Sequence, residues 1–600
     1  MPNVVDIECY PDYFLAMLRN IDSGQTSYWE QYPGRVLDRH SLSSVLARDT
    51  LIGFNSGRYD LPILKIALAG AECKTLKLAS DDIILNDIPP WQLADKYPMA
   101  QIALDHIDIM EPTPGVQVSL KSYAGRINAP WMQDLPIDPD AEVTPKQREM
   151  LRKYCGNDLD VTIRLYRKVE DRIELRKAMS EQYGIDLRSK SDAQIAEAVI
   201  AHECGVSGSD RPRIAPGTSY QFKAPGFINF QGDGLKRVLN LVQRSEYAVD
   251  KNGVVDIPKA LADLKITVGG GVYRLGIGGL HSTEKRIAHH TDDDHVLSDH
   301  DVTSYYPNII LRLGLFPKHI GPRFLDVYRS IVDRRMAAKA LMKVATKCGD
   351  KGEEKKQKTV QESLKIVLNG SFGKFGSKYS LLYSPDLLIR TTLTGQLALL
   401  QLIEQLEMLG IAVVSANTDG IVIKCPRDKT AERDAIIATW EFFSCFETEV
   451  TEYRALYSKD VNNYIAVKLD GGVKLKGLYA EPGLMKNPTN PICVEAVVQY
   501  LSMGVPVEET IAACDDITRF ITIRSVKGGA VKGDLYLGKT VRWYYGAGET
   551  GAIHYRTNGN KVARSEGAVP LMTLPDSFPD NVDLSWYIAE AKSILGVIGA

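Results

Sequence analysis

Two stretches place carboxylates where a divalent cation could be held. Asp301 opens Asp301-Val-Thr-Ser-Tyr-Tyr-Pro307, directly after His295-Val-Leu-Ser-Asp-His300. Val296, Leu297 and Val302 predict a strand that ends in a turn at Pro307. Asp419 lies in Asn417-Thr-Asp-Gly420, between the β-branched runs Ile411-Ala-Val-Val-Ser and Ile421-Val-Ile, which predicts a hairpin with an acid at its tip. Side by side, those strands bring the two carboxylates together. Two cations about 3.5–4 Å apart on such carboxylates suit in-line phosphoryl transfer, one activating the attacking oxygen and the other stabilising the leaving one. Mg²⁺ fits this use because it binds through one or two carboxylates plus substrate phosphates, and Mn²⁺ is the expected substitute.

A second acidic set lies near the N-terminus. Val4-Val-Asp6-Ile-Glu8 reads as a strand with both acids on one face. Leu51-Ile-Gly-Phe-Asn55 followed by Ser-Gly-Arg-Tyr-Asp60 reads as strand, turn and helix start, with Asp60 at the N-cap. Thr144-Pro145 predicts a capped helix that carries Tyr154 and Asp158, four apart and so on one face. Any one of these acids alone reads as a solvated or capping carboxylate; the constellation is what points to chemistry.

The elements that must position these residues resemble a known family in order as well as kind. Asp301-Val-Thr-Ser-Tyr-Tyr-Pro307 resembles motif A of family B DNA polymerases, Lys365-Ile-Val-Leu-Asn369-Gly-Ser-Phe372-Gly resembles motif B, and Asn417-Thr-Asp419-Gly resembles motif C. The set Asp6-x-Glu8, Asn55-x-x-x-Tyr-Asp60 and Tyr154-x-x-x-Asp158 resembles the ExoI, ExoII and ExoIII motifs of DnaQ-like 3′–5′ exonucleases. The resemblance implies a multidomain α/β and α+β chain: an RNase H-like exonuclease followed by a right-hand polymerase with a ferredoxin-like palm, helical fingers and a thumb. The implied boundaries are exonuclease 1–190, connector 191–265, first palm part 266–320, fingers 321–380, second palm part 381–478 and thumb 479–600.

By the same resemblance Asp6, Glu8, Asp60 and Asp158 would hold two metals, Tyr154 would orient the attacking water, and Asn55, with Ser119 and Leu120, would contact the primer end. Asp301 and Asp419 would hold the polymerase metals. Ser304 and Tyr305 would offer backbone N–H groups to a dNTP triphosphate, and Tyr306 would be the steric gate against a 2′-OH. Lys365 and Asn369 lie one helical turn apart, and Lys365 would grip phosphate; Arg335 and Lys339 repeat that spacing nearby. Phe372 keeps the stacking face of the usual motif B Tyr. Tyr464, Lys474 and Lys476 resemble a primer-strand-binding set. The departures are Asn417 where the family has Asp, Gly420 for Ser and Tyr305 for Leu. The implied partners are primer–template DNA and dNTPs, with helicase, single-strand-binding protein and clamp unspecified. The short gaps between motifs A, B and C imply extension of a nucleic-acid primer. With ExoI at residue 6, no uracil-sensing N-terminal domain is expected. Two other readings compete: a nuclease with a degraded polymerase half, motivated by Asn417, and a non-catalytic DNA-binding replisome component, which has no use for clustered acids.

Bulk properties agree. Six hundred residues suggest several domains, and a net charge of −3 argues against a uniformly basic nucleic-acid coat. Residues 321–380 are the basic exception, with 14 Lys plus Arg against 6 Asp plus Glu. Nine scattered cysteines without a Cys-x-x-Cys pair indicate neither a zinc site nor a disulfide framework, and suggest a reducing, cytoplasmic setting. No signal peptide or membrane span is recognisable, and a monomer is expected. Glycine-dense Val268–His281 reads either as a close approach to phosphate or as a plain hairpin, and His289-His-Thr-Asp-Asp-Asp-His295 as an exposed loop rather than a metal site. Lys527-Gly-Gly and Gly538-Lys-Thr-Val-Arg542-Trp543 read equally as a nucleic-acid contact or as core.

Overall fold

The structure is a computed structural model that describes residues 1–115 and 117–600. The chain forms two compact units, each assembled from separate stretches. The first comprises Met1–Ser191, Pro482–Ile492 and Ala512–Tyr587. Its five-stranded sheet runs Thr26–Gln31, Phe14–Asn20, Pro2–Cys9, Thr50–Gly53, His106–Asp108. The last three strands are parallel, and Phe14–Asn20 pairs antiparallel with the central strand on one side and with Thr26–Gln31 on the other. The side-chain period of two sorts the central strand. Val5, Ile7 and Cys9 enter one apolar cluster, while Val4 enters another with Leu151, Cys155 and Leu159 of the helix Pro145–Tyr183. Asp6 and Glu8 share Val4's side and so face that helix. The helix starts where the sequence predicts, at a Thr144/Gln147 capping box with Pro145 first, and ends at Gly184 with φ 66. Asp60 is not a cap. Tyr59 takes that position, and Asp60 is the first residue of the helix Asp60–Leu68.

Residues 512–587 belong to this unit. Strands Thr522–Lys532 and Leu535–Tyr545 form a four-stranded sheet with His554–Tyr555 and Ala568–Pro570, packed on the helix Leu120–Arg126. Arg542 and Trp543 are fully buried. The Arg542 guanidinium donates to the carbonyls of Ala129 at 2.8 Å and Leu571 at 2.7 Å. Arg542 and Trp543 are therefore core, while Lys527 and Lys539 of the same stretches are exposed.

The second unit comprises Asp192–Glu481, Cys493–Ile511 and Ile588–Ala600. Its 10-stranded sheet runs Val473–Leu475, Asn463–Lys468, Thr448–Asp460, His295–Val302, Gly420–Pro426, Ala412–Asn417, His281–Ser282, Gly271–Arg274, Ile266–Val268, with Lys285–His290 also pairing Thr448–Asp460. Every pairing is antiparallel. The strand and hairpin predicted for Asp301 and Asp419 are both present. The helix Pro385–Met408 is buried along most of its length against this unit's core. Helices Arg323–Cys348 and Lys351–Phe375 pack together, joined by Gly349 at φ 72 and by Asp350, whose carboxylate caps the second helix through Gly352 and Glu353. In the histidine run, Asp292 accepts from the His295 backbone at 2.7 Å, and among the described residues none of its histidines joins a group able to hold a metal. No helix among the described residues is long and apolar enough to cross a membrane.

Arg542→Leu strips two buried carbonyls of their donors, each such loss costing about 1–3 kcal/mol. The first unfolding transition in urea is expected to move to clearly lower concentration; an unchanged midpoint would show that those carbonyls find other partners.

Candidate active sites

The N-terminal acids converge from three elements: Asp6 and Glu8 on the central strand, Asp60 at a helix start, and Asp158 on the long helix. An open cleft is lined by Asp6, Asp60, Asp158, Asn55 and Leu120 together. Burial pushes the Asp6 carboxyl up to about 7, with Asp158 adding to it. Burial likewise holds Glu8 and Asp60 well above the usual carboxylate range, and neighbouring acids push the same way. Asp60 is only 4 % exposed, and its Oδ1 has no partner. Asp6, Glu8 and the Cys155 thiol lie close enough to share an ion. Such a set fits divalent cations, which would supply the missing positive charge.

One ammonium faces this negative charge, and the sequence reading passed over it. Lys121 pairs with Asp158 and lies 4.3 Å from the centre of the Tyr154 ring. The available signal was its place directly after Ser119 and Leu120. Ser119 caps the helix Leu120–Arg126 by accepting from Ser122 N–H, which aims Lys121 at the acids. Asn55 is held at φ 59 by Asp108, whose carboxylate accepts from the Asn55 N–H at 2.9 Å and the Gly57 N–H at 3.0 Å.

In the second unit Asp301, next to last on its strand, lies opposite Gly420, and Val302 N–H donates to Asp419 O at 2.8 Å. Burial and the nearby partner acid raise Asp419, while burial and Asp299 raise Asp301. Gly420 has a physical reason: a Cβ there would run into the Asp301 carboxylate. The Asp419 turn is braced from behind. Thr418, at φ 62, donates its N–H to Leu280 O at 2.8 Å, and Gly279 lies so close that a Cβ would stand 2.8 Å from Thr418 Cα. At Gly279 the close approach is to the protein's own turn, while Gly270 and Gly278 of the same segment face open space. Asn417 donates to Val461 O at 3.0 Å and accepts from Thr418 Oγ1 at 3.2 Å. An ionised Asp at 417 could not make the first of these bonds.

Beside these acids, Ser304 begins the helix Tyr305–Arg312 in a left-handed conformation, φ 47, and accepts from Arg335 Nη1 at 3.0 Å. Tyr305 is buried and donates to Gly395 O at 2.6 Å. The Tyr306 ring stacks on Phe372, centroids 4.2 Å apart, and its hydroxyl donates to Gly278 O at 2.7 Å. Lys339 pairs with Glu449 at 3.0 Å. Lys365 and Asn369 are exposed on one face of the second long helix. Tyr464 and Lys474 lie on adjacent strands, and Lys476, just past the second, has its Nζ 5.9 Å from the Tyr464 ring centre. Lys474 is not free for solvent: it pairs with Asp301 and with Asp299, another residue the sequence reading left aside.

Parts of the chain match archaeal polymerases. It is 25% identical over 122 residues to DNA polymerase 1 of Sulfolobus acidocaldarius, covering 20% of this chain and 14% of that protein. It is 25% identical over 138 residues to DNA polymerase 1 of Saccharolobus solfataricus, covering 23% and 15%. Over these stretches the chain is similar to DNA polymerases. The match spans about a seventh of the length of these curated relatives. No family model matches the chain. The solved family B DNA polymerase from Pyrobaculum calidifontis aligns with 99% of this chain and 77% of its own, at 16% identity and a TM-score of 0.39.

The raised Asp6 carboxyl sets a pH dependence. Its unfolded form ionises near pH 4 while the folded form stays protonated, so it weakens folding as pH rises from about 4 towards 7. Metal-free Asp6→Asn protein is expected to lose less stability over that window than the unaltered chain, read as the thermal midpoint against pH. Identical slopes would contradict this electrostatic account.

Proposed function

We propose that the chain is a template-directed DNA polymerase that extends a primer 3′-OH with dNTPs and removes misplaced ends with a separate 3′–5′ exonuclease site. The observation that carries the reading is the meeting of Asp301 and Asp419 beside the Tyr306–Phe372 stack and the Arg335–Ser304 contact. When bound at these acids, divalent cations would supply the charge for in-line displacement of pyrophosphate. The chain's own groups do the rest. Lys365 and Arg335, with Lys339 once released from Glu449, hold the triphosphate. Ser304 and Tyr305 offer backbone N–H groups. The Tyr306 ring, fixed on Phe372 and tied to Gly278, stands under the incoming sugar and excludes a 2′-OH. Lys476, Lys474 and Tyr464 hold the primer backbone, a sequence-independent contact.

At the other site, Asn55 and Leu120 would receive the frayed primer end in the cleft that reaches Asp6, Asp60 and Asp158. Lys121 would balance Asp158 until a cation or substrate phosphate replaces it. Two hydrolytic and synthetic centres on one chain give editing beyond what pairing supplies. In domain terms, the sheet that carries Asp301 and Asp419 would be the palm, the paired basic helices the fingers, and part of the C-terminal stretch the thumb. Asn417 donating to Val461 O supports the polymerase reading over a nuclease-only one.

On a labelled primer–template with Mg²⁺, Asp419→Ala is expected to lower extension by about 100-fold or more and leave degradation intact, while Asp6→Ala with Glu8→Ala does the reverse. Loss of both activities in either variant would contradict two separate sites. Tyr306→Ala is expected to admit ribonucleotides; unchanged sugar selectivity would place the gate elsewhere.

A further inference from the structure

Asp299 is an acid that the polymerase reading does not use. It lies two residues before Asp301 on the strand His295–Val302, so both side chains emerge on one face of the sheet with Leu297. Asp299 is 5 % exposed, and its Oδ2 accepts from Lys474 Nζ at 2.9 Å and from the Tyr453 hydroxyl. The same ammonium stands 3.3 Å from Asp301 Oδ2. Lys474 thus bridges two carboxylates, one buried and doubly engaged, the other half-exposed and beside Asp419.

We propose that Asp299 is a positioning residue: it captures the Lys474 ammonium, and so leaves the Asp301 carboxylate available to a divalent cation while keeping Lys474 beside the primer strand. This rests on the polymerase reading of Asp301 and adds a residue to it. An ammonium and a divalent cation compete for the same carboxylate oxygens. Without Asp299, Lys474 would have Asp301 as its one carboxylate partner in this cluster and would close on it. With Asp299, the lysine's charge is matched by an acid that a cation cannot reach. Tyr453 fixes that acid's rotamer, and the acid itself is buried. Asp299 Oδ2 already takes two donors, Lys474 Nζ and the Tyr453 hydroxyl, so the inference gives Asp299 the part of an anchor for Lys474 and not of a replacement for the carboxylate missing at Asn417.

The test is Mn²⁺ binding by calorimetry in protein carrying Asp6→Ala and Glu8→Ala, which silences the other acidic cluster. The polymerase-site component is the part that Asp301→Asn removes. Asp299→Asn, which keeps an acceptor for Tyr453, is expected to weaken that component about tenfold, the size typical of residues that orient a metal ligand. The Mg²⁺ concentration needed for half-maximal extension should rise in step, with the rate recovered at saturating Mg²⁺. Adding Lys474→Gln to Asp299→Asn should restore Mn²⁺ affinity. Unchanged affinity in Asp299→Asn overturns the inference. Failure of the double variant to recover also overturns it, because Asp299 would then be a ligand. If Asp299→Asn does not fold, Lys474→Gln alone decides: affinity should equal or exceed that of the parent, and a fall overturns the inference. Binding that ignores Asp301 altogether would instead defeat the polymerase reading on which this rests.

Discussion

Too many carboxylates face too few cationic side chains, and both candidate sites are arranged around that imbalance. Asp6, Glu8, Asp60 and Asp158 gather on a mixed sheet and the helices beside it, with Lys121 as their counter-charge. Asp301 and Asp419 gather at a strand end with Lys474 and Lys476 as theirs. A structural ion cluster would satisfy its acids. Here Asp60 Oδ1 is left buried without a partner, and burial raises the group rather than a salt bridge lowering it. Such an arrangement stores repulsion that an external cation relieves, and it makes metal affinity part of the fold's stability.

The two sites reach this state by different backbones. In the first unit a strand, a helix start and a helix interior each deliver acids, so the geometry depends on how the long helix lies across the sheet. In the second unit neighbouring antiparallel strands deliver both. Register sets the distance there: Asp301 faces Gly420, and the Asp419 turn follows from that pairing. Glycine at 420 and 279 lets side chain and backbone pass where any Cβ would collide.

Much of this was legible in the sequence, because the local signals agree with the final positions. Alternation put Asp6 with Glu8, the β-branched runs marked the Asp419 hairpin, and Thr144-Pro145 marked the long helix. What the sequence did not reveal depends on partners distant in the chain. Lys121 looks like a solvated helix residue until Asp158 is placed opposite it. Asp299 looks like one more strand acid until Tyr453 and Lys474 arrive from two other strands. Asn417 reads as a lost ligand until Val461 O is seen to need its N–H. Asp60 reads as a cap because its neighbours fit that pattern; its missing partner shows only in three dimensions. Arg542 and Trp543 look like a binding surface because composition cannot tell a buried guanidinium from an exposed one.

The central claim is that the two acid clusters are separate cation sites. Anomalous scattering from crystals soaked in Mn²⁺ tests it most directly. The account predicts peaks at Asp6, Glu8, Asp60 and Asp158 in one unit and at Asp301 and Asp419 in the other, with Lys121 withdrawn from Asp158. Peaks at one cluster alone, or at neither, would contradict it.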